Sequence, residues 1–247
     1  MIGISILCTN AYFPLGIRFI RRFMKYYRGQ RDVIFFIFTD RDPKDFLKEG
    51  TNYRWIKTAN SNWVDGTNLK FKSIISLFNE PVEYLYYFDA DTNVNREFTE
   101  DWFIGDLVGG QHYNDCYDQP KPFDRNPRSK AYIPYDTEFK QMYFYGAFFG
   151  GKRDRMIGFC QTLFEWQLLD KEIGYEPAVN DESYINKYFH YSPPKVVLTK
   201  DFAFLISDKG GIGETRNCNL DIDRLIDEMR LARNLDWNIQ GGELIYE

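Results

Sequence analysis

The sequence predicts an α/β domain on a mostly parallel, twisted sheet with helices on both faces. Short apolar runs that suit strands buried on both faces alternate with segments of helical spacing. The length of 247 residues is enough for one large domain with a sizeable core. Aromatic residues make up 18% of the chain, with 22 Phe and 18 Tyr, enough to fill that core and line a cleft.

The elements follow in order. Ile2 to Cys8 is a largely apolar run, read as a buried strand. Pro14 opens a helix with Ile17, Ile20, Phe23 and Met24 on one side. Its basic run Arg18, Arg21, Arg22 and Lys25 reads as a solvated face. VIFFIFTD, from Val33 to Asp40, is a second buried strand, and residues 53–57 are a weaker third. From Asn68 to Phe78, helical spacing places Leu69, Phe71, Ile74, Ile75 and Phe78 together. The Tyr84–Phe88 strand comes next. Asn114 to Arg128 holds three prolines and reads as a loop. Residues 141–151 read as a strand closing in a glycine turn. Arg153–Leu169 and Asp181–Phe189 read as helices, with a Lys195–Thr199 strand after them. The segment from about Ser207 is glycine-rich, then helical from Asp221 to Arg233. No internal repeat or linker breaks the chain, so one domain over 1–247 is expected, ending in that tail.

The formal net charge of −5 carries no broad nucleic-acid footprint. Cys8, Cys116, Cys160 and Cys218 form no CxxC pair, which argues against a zinc site or a disulfide scaffold and for free thiols in a reducing cytosol. The opening MIGISILCTN reads as a strand rather than a signal peptide, and no window approaches the ~18 consecutive apolar residues of a membrane span. A soluble, cytoplasmic protein is expected.

The acidic pair in YLYYFDADTN, residues 84–93, carries the chemistry. Residues i and i+2 on a strand or its extended exit point the same way, so Asp89 and Asp91 can aim at one point. Two such carboxylates repel unless a cation sits between them, and hard oxygens suit Mn²⁺ or Mg²⁺. In open α/β sheets, ligands bind beyond the carboxyl ends of the strands, where this pair stands. A solvated turn is the plain structural alternative. A haloacid-dehalogenase-type phosphatase, with Asp89 as nucleophile, is the enzymatic one. Against it, Thr92 comes one residue early, the motif lies far from the first strand, and a later acidic pair is not evident.

VEYLYYFDAD (82–91), DRNPRSKAYIP (124–134), GAFFGG (146–151) and NDESYINKYF (180–189) follow one another in that order. This set resembles family 6 glycosyltransferases, the retaining enzymes that include the blood-group ABO and α-1,3-galactosyl transferases. The resemblance runs from about Ile2 to Phe204. It implies a GT-A fold, one nucleotide-binding α/β domain, with a UDP-sugar donor and a glycan acceptor. No membrane anchor of the kind Golgi members carry is expected, as in bacterial or phage-type homologues.

The resemblance also assigns roles. Asp89 and Asp91 fall on the metal-binding Asp-x-Asp, with Ala90 between them, and the metal would bridge the UDP diphosphate. Leu7, Cys8, Thr9 and Tyr12 match the loop that holds uracil. Lys70 stands where the family has an Arg near the donor sugar, keeping the charge but losing the bidentate fork. Tyr145, Gly146 and Ala147 fall on the glycine motif that sorts donor sugars; Ala147 points to galactose, although Tyr145 is larger than usual there. UDP-glucose and UDP-N-acetylhexosamines stay open as donors. His112 falls on an acceptor-contacting His. Asp181 is placed on the donor sugar and Glu182 on the nucleophile, also touching the acceptor. Retention by a covalent glycosyl-enzyme or by front-face attack stays open. So does a binder without turnover.

Glu182 also has a plain reading, a first-turn carboxylate on a helix that Asn180 or Asp181 caps. As a catalytic group it is expected to be ionised and to face a cleft rather than a desolvated wall. His190, at the other end, suits the helix dipole. Val179-Asn180 replace the family's Trp-His, so acceptor identity does not transfer. Lys209, Arg216, Arg224, Arg230 and Arg233 are basic candidates for closing over a diphosphate. Residues 209–213 lack a P-loop's context and read as a lid.

Overall fold

The computed structural model describes residues 1–59, 63–92, 94, 96–112, 123–135, 142–198, 222–231, 237–240 and 243–246. Strands β1 (Ile2–Leu7), β2 (Val33–Thr39), β3 (Tyr53–Lys57), β4 (Tyr84–Phe88), β5 (Leu107–Gln111), β6 (Phe144–Lys152) and β7 (Val196–Leu198) form one sheet. Its order is β3-β2-β1-β4-β6-β5-β7. β1 runs parallel to β2, β2 to β3 and β5 to β7, while β5 and β6 are antiparallel. The helices are α1 (Phe13–Tyr26), α2 (Trp63–Ile75), α3 (Arg153–Glu172), α4 (Asn180–Tyr191) and α5 (Ile222–Leu231). A small hairpin pairs β8 (Trp237–Gln240) with β9 (Glu243–Tyr246). The mostly parallel α/β class is as expected. Among the described residues no helix is long and apolar enough to cross a membrane.

The chain separates into two compact units. The first holds residues 1–61, 88–102 and 204–247. Phe23 of α1 is its hub, meeting Phe19, Tyr27, Phe35, Phe88 and Phe98 at ring distances of 5.0–6.2 Å. Pro14 sits in the first turn of α1, where its missing N–H costs nothing. The expected solvated basic face is corrected here: Arg18, Arg21 and Arg22 are buried. The guanidinium heads of Arg18 and Arg22 reach backbone carbonyls. Arg22 Nε donates to the Val94 carbonyl at 2.7 Å.

The second unit holds residues 62–87 and 103–203. Tyr86 stacks on Phe148 and meets Phe103 edge-on, and its hydroxyl donates to the Phe103 carbonyl at 2.7 Å. Phe159 of α3 stacks on Phe189 of α4 and meets Phe149 of β6. The glycine turn expected at the end of 141–151 is instead strand: β6 runs through Gly150 and Gly151 to Lys152. The glycines serve close packing. A Cβ on Gly150 would lie 2.2 Å from Tyr86 Cδ1 and 2.6 Å from the Leu85 carbonyl oxygen. Gly150→Ala should therefore lower stability by ~2 kcal/mol or more, because backbone cannot move aside as a side chain can. Thermal melts check this, with Gly158→Ala as control: it lies within α3 with nothing within 4 Å of its added Cβ. That change should be neutral or stabilising.

Other departures are local. β5 was not expected, nor was the β8–β9 hairpin. α2 starts earlier than Asn68 and ends at Ile75, leaving Phe78 57% exposed rather than on an apolar face. Cys8 and Cys160 are free and buried. Cys116, Cys218, Lys209, Arg216, Arg233 and the proposed lid lie outside the described residues, as does the start of the tail.

Candidate active site

In the first unit the stretch 89–92 leaves the end of β4. It turns at once, with the Thr92 N–H donating to the Asp89 carbonyl at 3.0 Å. Arg18 Nη2 approaches the carbonyls of Asp91 and Thr92 to 3.5 Å, and Arg22 holds that of Val94. Two guanidinium groups of α1 thus face the backbone of the acidic turn. Asp89 and Asp91 are half-buried and Ala90 is buried. The donor set, two carboxylates one residue apart on a tethered turn, fits a hard divalent cation that takes further oxygens from a ligand. Among the described residues no group of three or more His, Cys, Asp or Glu side chains converges to cage a metal.

The nucleotide-loop candidates are in the same unit. Leu7 is half-buried, Thr9 buried, and Tyr12 half-buried in the short 3₁₀ turn Asn10–Tyr12. Asn10 adopts a left-handed φ of 52° while its N–H donates to Asp40 Oδ1 at 3.0 Å. The Cys8 thiol is packed so closely that a Cβ on Gly16 would lie 2.6 Å from Sγ. Burial pushes that thiol up to about 12, so it is unreactive.

The second unit gathers Lys70, Gly146, Asp181 and Glu182. Lys70 Nζ, buried, donates to Asp181 Oδ2 at 2.6 Å and to the Gly146 carbonyl at 3.1 Å, and lies 4.8 Å from the Tyr87 ring centre. The Gly146 N–H donates to Glu182 Oε2 at 2.6 Å. A Cβ on Gly146 would sit 3.1–3.3 Å from the carboxylate oxygens of Glu182 and Asp181, so glycine admits the close approach. Ala147 is buried next to it. Tyr145 is half-buried, with the His112 ring meeting it edge-on at 5.0 Å. His112 also meets Tyr143 edge-on, and its backbone N–H donates to the Tyr143 carbonyl at 2.8 Å.

Glu182 departs from expectation. It is half-buried, and desolvation raises its carboxyl from 4.5 to about 7. Asp181 adds to the rise, while the Gly146 N–H, the Tyr143 hydroxyl and Lys70 oppose it. The expected ionised carboxylate, clear of a desolvated wall, is replaced by one that desolvation poises near neutrality, as general bases are. The expected cap is also absent. Asp181 is taken up by Lys70, Asn180 enters the helix at φ 36°, and the Val179 N–H donates to Ser183 Oγ at 3.1 Å instead. Burial first, then Lys187 and Arg125, lower the basicity of His190, which weakens it as a partner for the helix dipole.

Sequence reasoning missed Tyr143 and Asn186. Tyr143 shares a strand face with Tyr145 and Ala147, a period-2 signal that could have found it. Burial and the Glu182 charge raise its hydroxyl strongly. Asn186 follows Glu182 by one helical turn.

The signature of glycosyltransferase family 6 matches residues 1–210. The chain belongs to this family. Histo-blood group ABO system transferase 2 of Rattus norvegicus is 27% identical over 212 residues, covering 81% of this chain and 62% of the relative. The O-antigen biosynthesis glycosyltransferase WbnI of Escherichia coli is 27% identical over 209 residues, covering 78% and 84%. Globoside alpha-1,3-N-acetylgalactosaminyltransferase 1 of Gallus gallus is 27% identical over 224 residues, covering 79% and 64%. The alignment with the rat relative thus spans about three-fifths of its length. The mostly parallel α/β sheet is that of a GT-A fold.

Proposed function

We propose that this family 6 chain is a retaining, metal-dependent hexosyltransferase that moves an α-galactosyl unit from UDP-galactose to a glycan acceptor. The observation that carries the reading is the Lys70–Asp181–Glu182–Gly146 cluster. It holds a carboxylate poised near neutrality against a strand whose next residue is Ala147. Asp89 and Asp91 are the metal ligands in this reading, and Mn²⁺ or Mg²⁺ would neutralise charge on the departing diphosphate. Lys70 fixes Asp181 for contact with the donor sugar. Glu182 stabilises, or bonds to, the anomeric carbon on the face opposite the departing UDP. Leu7, Cys8, Thr9 and Tyr12 are the uracil loop, Tyr145 with Gly146 and Ala147 is on the donor-sugar side, and His112 is on the acceptor side. The single GT-A domain over 1–247 and a soluble cytoplasmic setting belong to the same proposal.

The test is UDP release from UDP-galactose, UDP-glucose, UDP-N-acetylglucosamine and UDP-N-acetylgalactosamine with Mn²⁺ present. Galactose should lead. A phosphatase would ignore every donor, and a binder without turnover would bind one without releasing UDP. Two relatives named for N-acetylgalactosamine or O-antigen transfer make the full panel necessary.

Ala147 gives a sharper check. It is buried on β6 beside Gly146. Ala147→Gly should shift the ratio of kcat/KM values toward UDP-N-acetylgalactosamine, partially, since one methyl is worth ~1–3 kcal/mol of discrimination. An unmoved ratio would remove position 147 from the donor pocket.

A further inference from the structure

Along β6 the backbone alternates between two edges. Tyr143, just before the strand, turns its carbonyl to His112, on the β5 side. Phe144 and Gly146 therefore present their N–H and C=O groups to the opposite edge. β4 is the neighbouring strand there, but it packs further along, against Gly150. At Phe144 and Gly146 side chains take the place of a strand. The Phe144 N–H donates to Asn186 Oδ1 at 2.8 Å, and Asn186 Nδ2 donates to the Phe144 carbonyl at 2.9 Å. The Gly146 N–H goes to Glu182 and its carbonyl to Lys70. All four groups of this stretch of edge are satisfied, as buried backbone requires.

The fit has a geometric basis. Glu182 and Asn186 are four residues apart on α4, a rise of ~6 Å. Phe144 and Gly146 are two apart on a strand, ~6.6 Å. One helical turn thus matches one strand repeat, and two side chains of α4 dock on two successive peptide sites. Asn186 also donates to the Glu182 carbonyl at 2.9 Å, so it ties its own turn to the strand. It is 2% exposed.

We propose that Asn186 is a positioning residue for glycosyl transfer: its carboxamide stands in for a strand neighbour at Phe144 and sets the register that seats Glu182 on the Gly146 N–H. The proposal rests on the catalytic reading of Glu182. Asn186 touches no reacting atom and acts through Glu182 alone. Loss of the register should pull Glu182 from its donor, slowing turnover and moving its ionisation upward.

The experiment measures UDP release from UDP-galactose in water, with Mn²⁺, as a function of pH. Wild type, Asn186→Ala, Asn186→Ser, Glu182→Gln and both double variants are compared. Asn186→Ser is the milder change, and it carries the comparison if Asn186→Ala does not fold. A displaced carboxylate should cost the Asn186 variants ~10–100-fold in kcat with donor KM little changed. The acid limb of their pH profile should move to higher pH, because the Gly146 N–H no longer favours the ionised form. On the Glu182→Gln background the same substitutions should change kcat by less than about twofold, since residues acting as one unit are not additive. An equal loss on both backgrounds, or an unmoved limb with near-normal kcat, overturns the positioning role. Normal turnover in Glu182→Gln overturns the reading beneath it, and the two failures are told apart by which single variant is active.

Discussion

Glu182→Gln should fold, bind UDP and Mn²⁺ as the wild type does, and lose at least ~100-fold in transfer rate, on the order of 2.7 kcal/mol. The amide keeps the shape of the side chain and an oxygen for the Gly146 N–H, which now sits 2.6 Å from Oε2. It cannot carry the negative charge that an oxocarbenium-like centre or a glycosyl bond needs. The pH profile supplies a second signature. Desolvation holds the carboxyl up at about 7, so wild-type kcat/KM should rise through that pH as the group ionises. In the variant that limb should vanish.

Stability moves in the opposite sense. A carboxyl whose folded value is raised favours the fold while protonated in it, and that contribution is lost as pH climbs through about 7. At pH 8 the wild type bears the cost of a buried charge that glutamine does not. Glu182→Gln should then melt at or above the wild-type temperature at pH 8, and the difference should shrink toward pH 5. A helix-stabilising carboxylate with no catalytic part predicts the reverse, a lower melting temperature with near-normal turnover. Both quantities come from one purified variant, and turnover within a few-fold of wild type would end the catalytic assignment.

The sequence showed most elements because their cues are local. Apolar runs marked β1, β2 and β4, Pro14 marked α1, and 3.6-residue spacing marked α2. β5 stayed hidden because Gly109 and Gly110 in mid-strand give no apolar alternation to read. In the fold a Cβ on Gly109 would lie 2.8 Å from Phe144 and 2.9 Å from Phe189, so the glycine serves ring packing that no local pattern records. The buried arginines of α1 were hidden for a related reason. Their partners lie 72 to 74 residues away along the chain, and a basic stripe looks the same whether water or carbonyls face it. Lys70 and Asp181 were each assigned through the family resemblance. Their pairing across 111 residues was not legible. The helix cap failed for a chemical reason: Asp181 gains more from a buried lysine than from an N-terminal amide, and Ser183 takes its place.

Chelation should abolish transfer, and Asp91→Asn should cost more than ~10-fold in rate, since losing one metal ligand removes ~1.4 kcal/mol or more of transition-state stabilisation. The substitution keeps the size of the side chain and removes its charge. Arg18 approaches the backbone carbonyls of Asp91 and Thr92, not the groups being changed, and the turn is closed by the Asp89 carbonyl. Asparagine should therefore leave the loop in place and the metal-free melting temperature near that of wild type. It halves the anionic charge of the pair, and a neutral amide is a poorer ligand for a hard cation. Binding gives a readout apart from turnover. A ligand at 100 times its Kd stabilises the fold by ~2.7 kcal/mol, so Mn²⁺ with UDP should raise the wild-type melting temperature by several degrees. Asp91→Asn should show a much smaller rise at the same Mn²⁺ concentration, and EDTA should make the two proteins alike. Asp89→Asn should behave in the same way, because the two carboxylates act on one ion. Full transfer activity in EDTA, or an Asp91→Asn protein whose melting temperature responds to Mn²⁺ as the wild type does, would show that the pair at the end of β4 is a solvated turn and not a metal site.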